Sequence, residues 1–128
     1  MVIDRRQPVL IVDDYGPMRR VLRSLLRQLG FADVDEAEDG AAALALLRHR
    51  PYGLVISDWN MRPVTGLDLL REVRADPRLA SLPFVMLTAE SKTENVIAAR
   101  EAGASSYVVK PFDAEILRAK IAGLASAA

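Results

Sequence analysis

The chain has 128 residues, no cysteine and one histidine, and its 17 basic and 17 acidic side chains cancel. That length suits one domain with an ordinary core, here taken as a single domain over 1–128. The missing cysteines exclude disulfides and thiolate metal sites, the lone His49 excludes a multi-histidine zinc site, and the neutral charge argues against nucleic acid as a partner.

No apolar signal region opens the sequence, and no apolar run approaches the length of a bilayer span, so a cytoplasmic protein without membrane insertion is expected. The first strand is placed at about Pro8–Asp13, around Val9-Leu10-Ile11-Val12. A helix follows, with Val21, Leu22, Leu25, Leu26 and Leu29 inward and Arg19, Arg20, Arg23 and Arg27 on the other side. Pro17 fits its first turn and Gly30 its C-terminal stop. The arginines read as a solvated helix face, with docking of an acidic partner as the sharper alternative.

The second strand, about Ala32–Ala37, carries several acids and so belongs at a sheet edge. Asp39 can cap a helix over Gly40–Arg48, with Ala43, Leu44 and Leu47 inward. His49 then reads as a cation near that helix's C-terminus. The third strand is Gly53–Asp58, followed by a helix over Gly66–Ala75 that uses Leu67, Leu70 and Val73. The fourth strand is Pro83–Thr88. Ser91-Lys92-Thr93-Glu94 is a capping box opening a fourth helix whose only large apolar residues are Val96 and Ile97. That helix should be the least anchored, and so the best candidate to shift. Gly103 ends it, the fifth strand is Ser105–Lys110, and Asp113 caps a last helix with Leu117, Ile121 and Leu124 inward.

Short apolar runs alternating with helical patterns predict buried parallel strands. Five strands and five helices with right-handed crossovers give an α/β, doubly wound, flavodoxin-like sheet in the order 2-1-3-4-5, with its switch point between strands one and three. Ligands in such folds bind at the carboxyl ends of the strands. Four of the five strands end in polar residues: Asp13-Asp14, Asp58, Thr88 and Lys110. Taken singly, the acid pair could cap a helix, Thr88 or Asp58 could serve a turn, and Lys110 could be a solvated strand end. Their equivalent positions on successive strands favour one shared crevice.

Two carboxylates about 4 Å apart repel by ~4 kcal/mol at an effective dielectric of 20, and a third adds to this. A cation must therefore offset the cluster. Lys110 supplies one charge, and Mg²⁺, which accepts oxygen ligands, would supply two more. Asp58, central in the sheet, is then the natural nucleophile for an aspartyl phosphate, with Thr88 and Lys110 placed to contact phosphoryl oxygens. Trp59, beside it, should be partly exposed and report on the site by fluorescence. The chain has no Gly-rich phosphate loop, so nucleotide binding lacks support.

Several stretches resemble response-regulator receiver domains, and among them the CheY-like single-domain chemotaxis proteins: Met18-Arg19-Arg20, Asp58-Trp59-Asn60-Met61, Thr88-Ala89-Glu90, Glu94-Asn95, Ala102-Gly103-Ala104-Ser105 and Tyr107-Val108-Val109-Lys110-Pro111-Phe112. The resemblance covers nearly the whole chain. It implies a two-component signalling protein in which Asp58 accepts phosphate from a histidine kinase or histidine phosphotransfer protein. It also implies Mg²⁺ held by Asp14, Asp58 and the Asn60 backbone carbonyl, with Asp13 acting through a water. Thr88 and Tyr107 would be switch residues, Asn60 and Glu90 would influence phosphate lifetime, and the Lys110–Pro111 bond would be cis. The downstream partner would be an effector such as a flagellar motor switch, bound at the surface of helix four, strand five and helix five.

Two departures stand out. Met61-Arg62-Pro63 replaces the usual Met-Pro after the phosphoacceptor, without an insertion before Gly66, and Tyr15-Gly16-Pro17 follows the acid pair in place of a more usual Phe-Ser-Thr. A phosphorelay intermediate or phosphate sink is the alternative within the same class. A Mg²⁺-dependent phosphohydrolase with an aspartyl-phosphate intermediate is the rival from another class. Such enzymes commonly need a carboxylate two residues after the nucleophile, where this chain has Asn60, which cannot exchange protons in that role. The expectation is therefore a signalling domain rather than an enzyme.

Overall fold

The structure, a computed structural model, describes residues 4–61, 64–89 and 93–126. The expected architecture is present: β1 (Val9–Val12), α1 (Gly16–Gln28), β2 (Val34–Ala37), α2 (Gly40–His49), β3 (Leu54–Asp58), α3 (Gly66–Ala75), β4 (Phe84–Thr88), α4 (Thr93–Ala102), β5 (Ser106–Val109) and α5 (Ala114–Ser126). All strand pairings are parallel, in the order β2-β1-β3-β4-β5. The acidic second strand lies at one edge, as its composition requires. The Arg62-Pro63 departure, Glu90, and the Ser91-Lys92 part of the capping box lie outside the described residues.

Alternation along the strands divides the core between the two faces of the sheet. Val9, Ile11, Leu54, Ile56, Val85, Leu87 and Val108 face Leu22 and Leu26 of α1 and Leu117, Ile121 and Leu124 of α5. Leu10, Val12, Val55, Phe84 and Met86 face Ala43 and Leu47 of α2 and Leu69, Leu70 and Val73 of α3. Because both faces are covered, β1 reads as an unbroken apolar run, and β3 and β4 are apolar up to Ser57-Asp58 and Thr88 at their ends.

Two inward assignments need correction. Val21 is 50% exposed, and Met18 packs against the core instead. The true stripe, Met18, Leu22, Leu25, Leu26 and Leu29, advances by helical steps that leave Val21 about 100° to one side. In α3, Leu69 is buried while Leu67 is only half-buried, since Leu69, Leu70 and Val73 form the i, i+1, i+4 face.

The helix ends follow the expected chemistry. Asp39 accepts from the Ala42 N–H at 2.8 Å, and Asp113 from the Ile116 N–H at 2.9 Å. Thr65 caps α3 through the Asp68 N–H at 3.2 Å. Gly30 and Gly103 take φ of 96° and 99° at the ends of α1 and α4. Helix α4 buries only Ala99, whereas α3 buries Gly66, Leu69, Leu70 and Val73, so α4 is weakly anchored as expected.

Its C-terminal end is held by a side chain from elsewhere. Arg74 of α3 donates to the carbonyl oxygens of Gly103 (2.9 Å), Leu82 (2.7 Å) and Ala80 (3.1 Å) and to Ser105 Oγ (3.3 Å). One guanidinium thus ties α3 to the loops entering β4 and β5. Arg74→Ala would strand several of these acceptors, and it is expected to lower the unfolding free energy by about 3 kcal/mol, read from urea midpoints.

Candidate functional site

The register explains how the polar strand ends meet. Val12 pairs with Ser57, Asp58 with Leu87, and Thr88 with Val109. Asp13, Asp58 and Lys110 each lie two residues beyond a core residue of the α1/α5 face (Ile11, Ile56 and Val108), so period-two alternation turns them to the same side. Thr88 and Tyr107 follow the other parity. Thr88 lies two residues beyond Met86, and Met86 is paired with Tyr107, on the face that carries α4.

The side chains converge accordingly. Carboxylate oxygens of Asp13, Asp14 and Asp58 lie within 4.8 Å of one another. Lys110 Nζ is 3.2 Å from Asp58 Oδ1 and 3.5 Å from Asp13 Oδ2. Asp13 is 1% exposed, Asp58 6% and Thr88 1%, whereas Asp14 is open to solvent. The tandem acids are therefore inequivalent. Asp13 does not cap α1 itself; its Oδ1 accepts from the Tyr15 N–H at 2.9 Å, and Tyr15 is the N-cap residue with no side-chain bond of its own. Asn60 is exposed on the loop after β3, and the Lys110–Pro111 bond is cis.

Burial is the largest influence on Asp58 and pushes its carboxyl above the usual range. The Lys110 ammonium pulls the other way, and Asp13 and Asp14 add to the upward push. The acids thus gain from any further cation. The donors are all oxygens, two carboxylates are buried beside an open third, and one ammonium stands against three negative charges. That set suits a hard divalent ion such as Mg²⁺ better than a softer metal.

Two features of the site were not foreseen. Gly66, at the start of α3, lies so close to the end of β3 that an added Cβ would be 2.1 Å from the Asp58 carbonyl oxygen and 2.8 Å from Trp59 Cα. Its sequence spacing was legible, but the contact was not. Arg19 and Arg23 are also not a solvated face. Arg19 Nε donates to Glu36 Oε1 at 2.9 Å and its Nη1 to the Asp13 carbonyl oxygen at 2.7 Å, while Arg23 grips Glu36 Oε2. Burial opposes ionisation of Glu36, yet the arginine hydrogen bonds outweigh it and hold the carboxyl below its usual range.

The partly exposed Trp59 meets Tyr107 edge-on, with ring centroids 6.4 Å apart and planes at 79°. Beside Tyr107 a groove of about 450 Å³ runs between α4, β5 and α5, lined by Val96, Ala99, Ala104, Ser106, Val109 and Lys120 among others. Ile97 and Val109 are exposed on the same elements. Among the described residues, no helix is long and apolar enough to cross a membrane.

Comparison with known proteins bears directly on this geometry. The profile of the response regulator receiver domain matches residues 9–122. The chain is 51% identical over 113 residues to chemotaxis protein CheY of Pseudomonas aeruginosa, covering 88% of this chain and 91% of that protein. It is 45% identical over 120 residues to chemotaxis protein CheY-3 of Vibrio cholerae, covering 94% and 92%. Among solved structures, chemotaxis protein CheY4 of Vibrio cholerae superposes with a TM-score of 0.86 at 32% identity, over 93% of this chain and 98% of that one. A response regulator receiver protein from Pseudomonas putida gives 0.83 at 30% identity, over 92% and 97%.

Proposed function

The chain belongs to the response regulator receiver domain family, and from that premise we propose that it is the phosphoryl-accepting switch of a two-component chemotaxis pathway, with Asp58 as the acceptor. The observation that carries this reading is the meeting of three carboxylates and one ammonium at the carboxyl ends of β1, β3 and β5. The names of its relatives support chemotaxis as the pathway.

Asp13, Asp14 and Asp58, with the Asn60 carbonyl, would hold Mg²⁺. When bound, the ion would offset the carboxylate charge and that of the incoming phosphoryl oxygens. An Asp58 carboxylate oxygen attacks the phosphorus of a phosphohistidine on the kinase. A P–O bond forms, the P–N bond breaks, and the imidazole leaves with the electron pair and takes up a proton. Lys110, already in contact with Asp58, pairs with the transferred group. The Thr88 hydroxyl, at the adjacent strand end, reorients toward a phosphoryl oxygen. Thr88 and Tyr107 share the α4 face, so a shift at Thr88 reaches Tyr107 and the weakly anchored α4. The groove between α4, β5 and α5 is then the surface a downstream effector, such as a flagellar motor switch, would read. Asn60 and Glu90 are proposed to set the phosphate lifetime. The protein works as a signalling module whose chemistry is confined to its own phosphorylation and its loss.

Intact-protein mass after incubation with acetyl phosphate tests the proposal. One phosphoryl adduct is expected that requires Mg²⁺ and is absent in Asp58→Asn. No adduct in the native protein, or an equal adduct in the variant, would overturn it.

A further inference from the structure

Resting on the reading of the crevice as a Mg²⁺ site, we infer that Arg19 is a positioning residue that organises the acid pair for metal binding through the Asp13 backbone. The Asp13 residue is gripped on both of its main-chain polar groups. Its N–H donates to the Ala37 carbonyl oxygen of β2 at 3.1 Å, and its carbonyl oxygen accepts from Arg19 Nη1 at 2.7 Å. Arg19 is itself braced. Its Nε bonds Glu36 Oε1 at 2.9 Å, and Arg23 holds Glu36 Oε2 through Nε at 2.9 Å and Nη2 at 2.6 Å. The Arg19 side chain is only 18% exposed, far from the free rotor expected of a surface arginine.

The consequence falls on Asp14. Among the described residues nothing donates a hydrogen bond to its carboxylate, and it is exposed. Its position therefore depends on the main chain alone. A peptide unit is planar, so fixing the Asp13 carbonyl oxygen also fixes the Cα of Asp14. The next residue is fixed too, because the Tyr15 N–H bonds Asp13 Oδ1 at 2.9 Å. Without Arg19, mutual repulsion among the three carboxylates favours swinging the open one outward, and metal binding must then reverse that movement. Groups that orient metal ligands commonly change affinity by about 10–100-fold when removed.

The sign of the effect separates this role from simple electrostatics. A cation near a metal site repels the metal, so removing the Arg19 charge should tighten Mg²⁺ binding if charge alone mattered. Positioning predicts the reverse. Arg23 provides the control, since it shares Glu36 with Arg19 but makes no bond to Asp13.

The experiment is a titration of Trp59 fluorescence with MgCl₂ alone, without phosphodonor, on native protein, Arg19→Gln, Arg19→Lys and Arg23→Gln. Arg19→Gln is expected to raise the Mg²⁺ midpoint about tenfold. Arg19→Lys should recover only part of this, because an ammonium lacks the fork that spans both acceptors. Arg23→Gln should leave the midpoint unchanged or lower it. An unchanged or lower midpoint in Arg19→Gln, or an equal rise in Arg23→Gln, overturns the inference. If Arg19→Gln does not fold, a native midpoint in Arg19→Lys overturns it. A native protein with no saturable Mg²⁺ response would instead remove the site itself, and with it the inference.

Discussion

Asp58→Asn is expected to abolish phosphoryl acceptance and, with divalent cations chelated, to make the folded protein more stable. The proposed acceptor carboxylate is lost, so no adduct mass should form. The stability gain follows from the charges around Asp58. Its carboxylate faces Asp13 and Asp14 within 4.8 Å and Lys110 at 3.2 Å. At an effective dielectric of 20 the two repulsions exceed the one attraction by ~2 kcal/mol, before any relief from burying one charge fewer. The pH dependence has a definite sign. The carboxyl of Asp58 is raised in the folded state, so between its unfolded and folded values the native protein holds more protons than the unfolded chain. Stability from this group therefore falls as pH rises through that window. The advantage of Asp58→Asn in urea denaturation should be full at neutral pH and shrink once the solution is acid enough to protonate Asp58 in both states. A variant less stable than the native protein at neutral pH would show that the Lys110 pairing dominates the crevice.

Gly66→Ala should have the other large effect, and in the opposite direction. Helix propensity alone favours alanine by about 1 kcal/mol. Against this, the new methyl would lie 2.1 Å from the Asp58 carbonyl oxygen, 2.9 Å from its carbonyl carbon and 2.8 Å from Trp59 Cα. These are backbone atoms that cannot rotate away, and the Gly66 N–H also bonds the Trp59 carbonyl at 3.1 Å. Either α3 lifts from the sheet or the end of β3 shifts. We expect a loss of about 3 kcal/mol in unfolding free energy. Because a displacement near 1 Å can cost about 100-fold in rate, labelling by acetyl phosphate should slow by about that factor. Near-native labelling in the variant would show that the helix yields and leaves Asp58 in place.

These two positions mark what the sequence could and could not disclose. The apolar runs and their intervening helical stripes disclosed the strand order, since β1, β3 and β4 are buried on both faces and only β2 carries acids within its span rather than at its end. The polar strand ends disclosed the crevice for the same reason: a parallel sheet aligns its carboxyl ends. Side-chain placement within a helix was less secure. Val21 and Leu67 each stand beside leucines that pack better, and a stripe one residue too wide is hard to trim from composition. The tandem Asp13-Asp14 gave no sign that one acid is buried and the other open, because that depends on where β1 yields to the loop. Gly66 and Arg19 were opaque in a different way. Their roles are contacts with main-chain atoms of residues brought near by folding, and no pattern of neighbours in the chain encodes such a contact.

The crevice draws on chain positions from 13 to 110, contributed from the tips of three strands, β1, β3 and β5. No fragment holds it. A copy lacking β5 keeps three carboxylates and loses the ammonium, so its acids repel without relief. A cation that would bind only the folded crevice raises resistance to unfolding in proportion to the logarithm of its concentration. Proteolysis should therefore slow as Mg²⁺ is added. The proposed phosphorylation site would then also couple the receiver's stability to the cation around it.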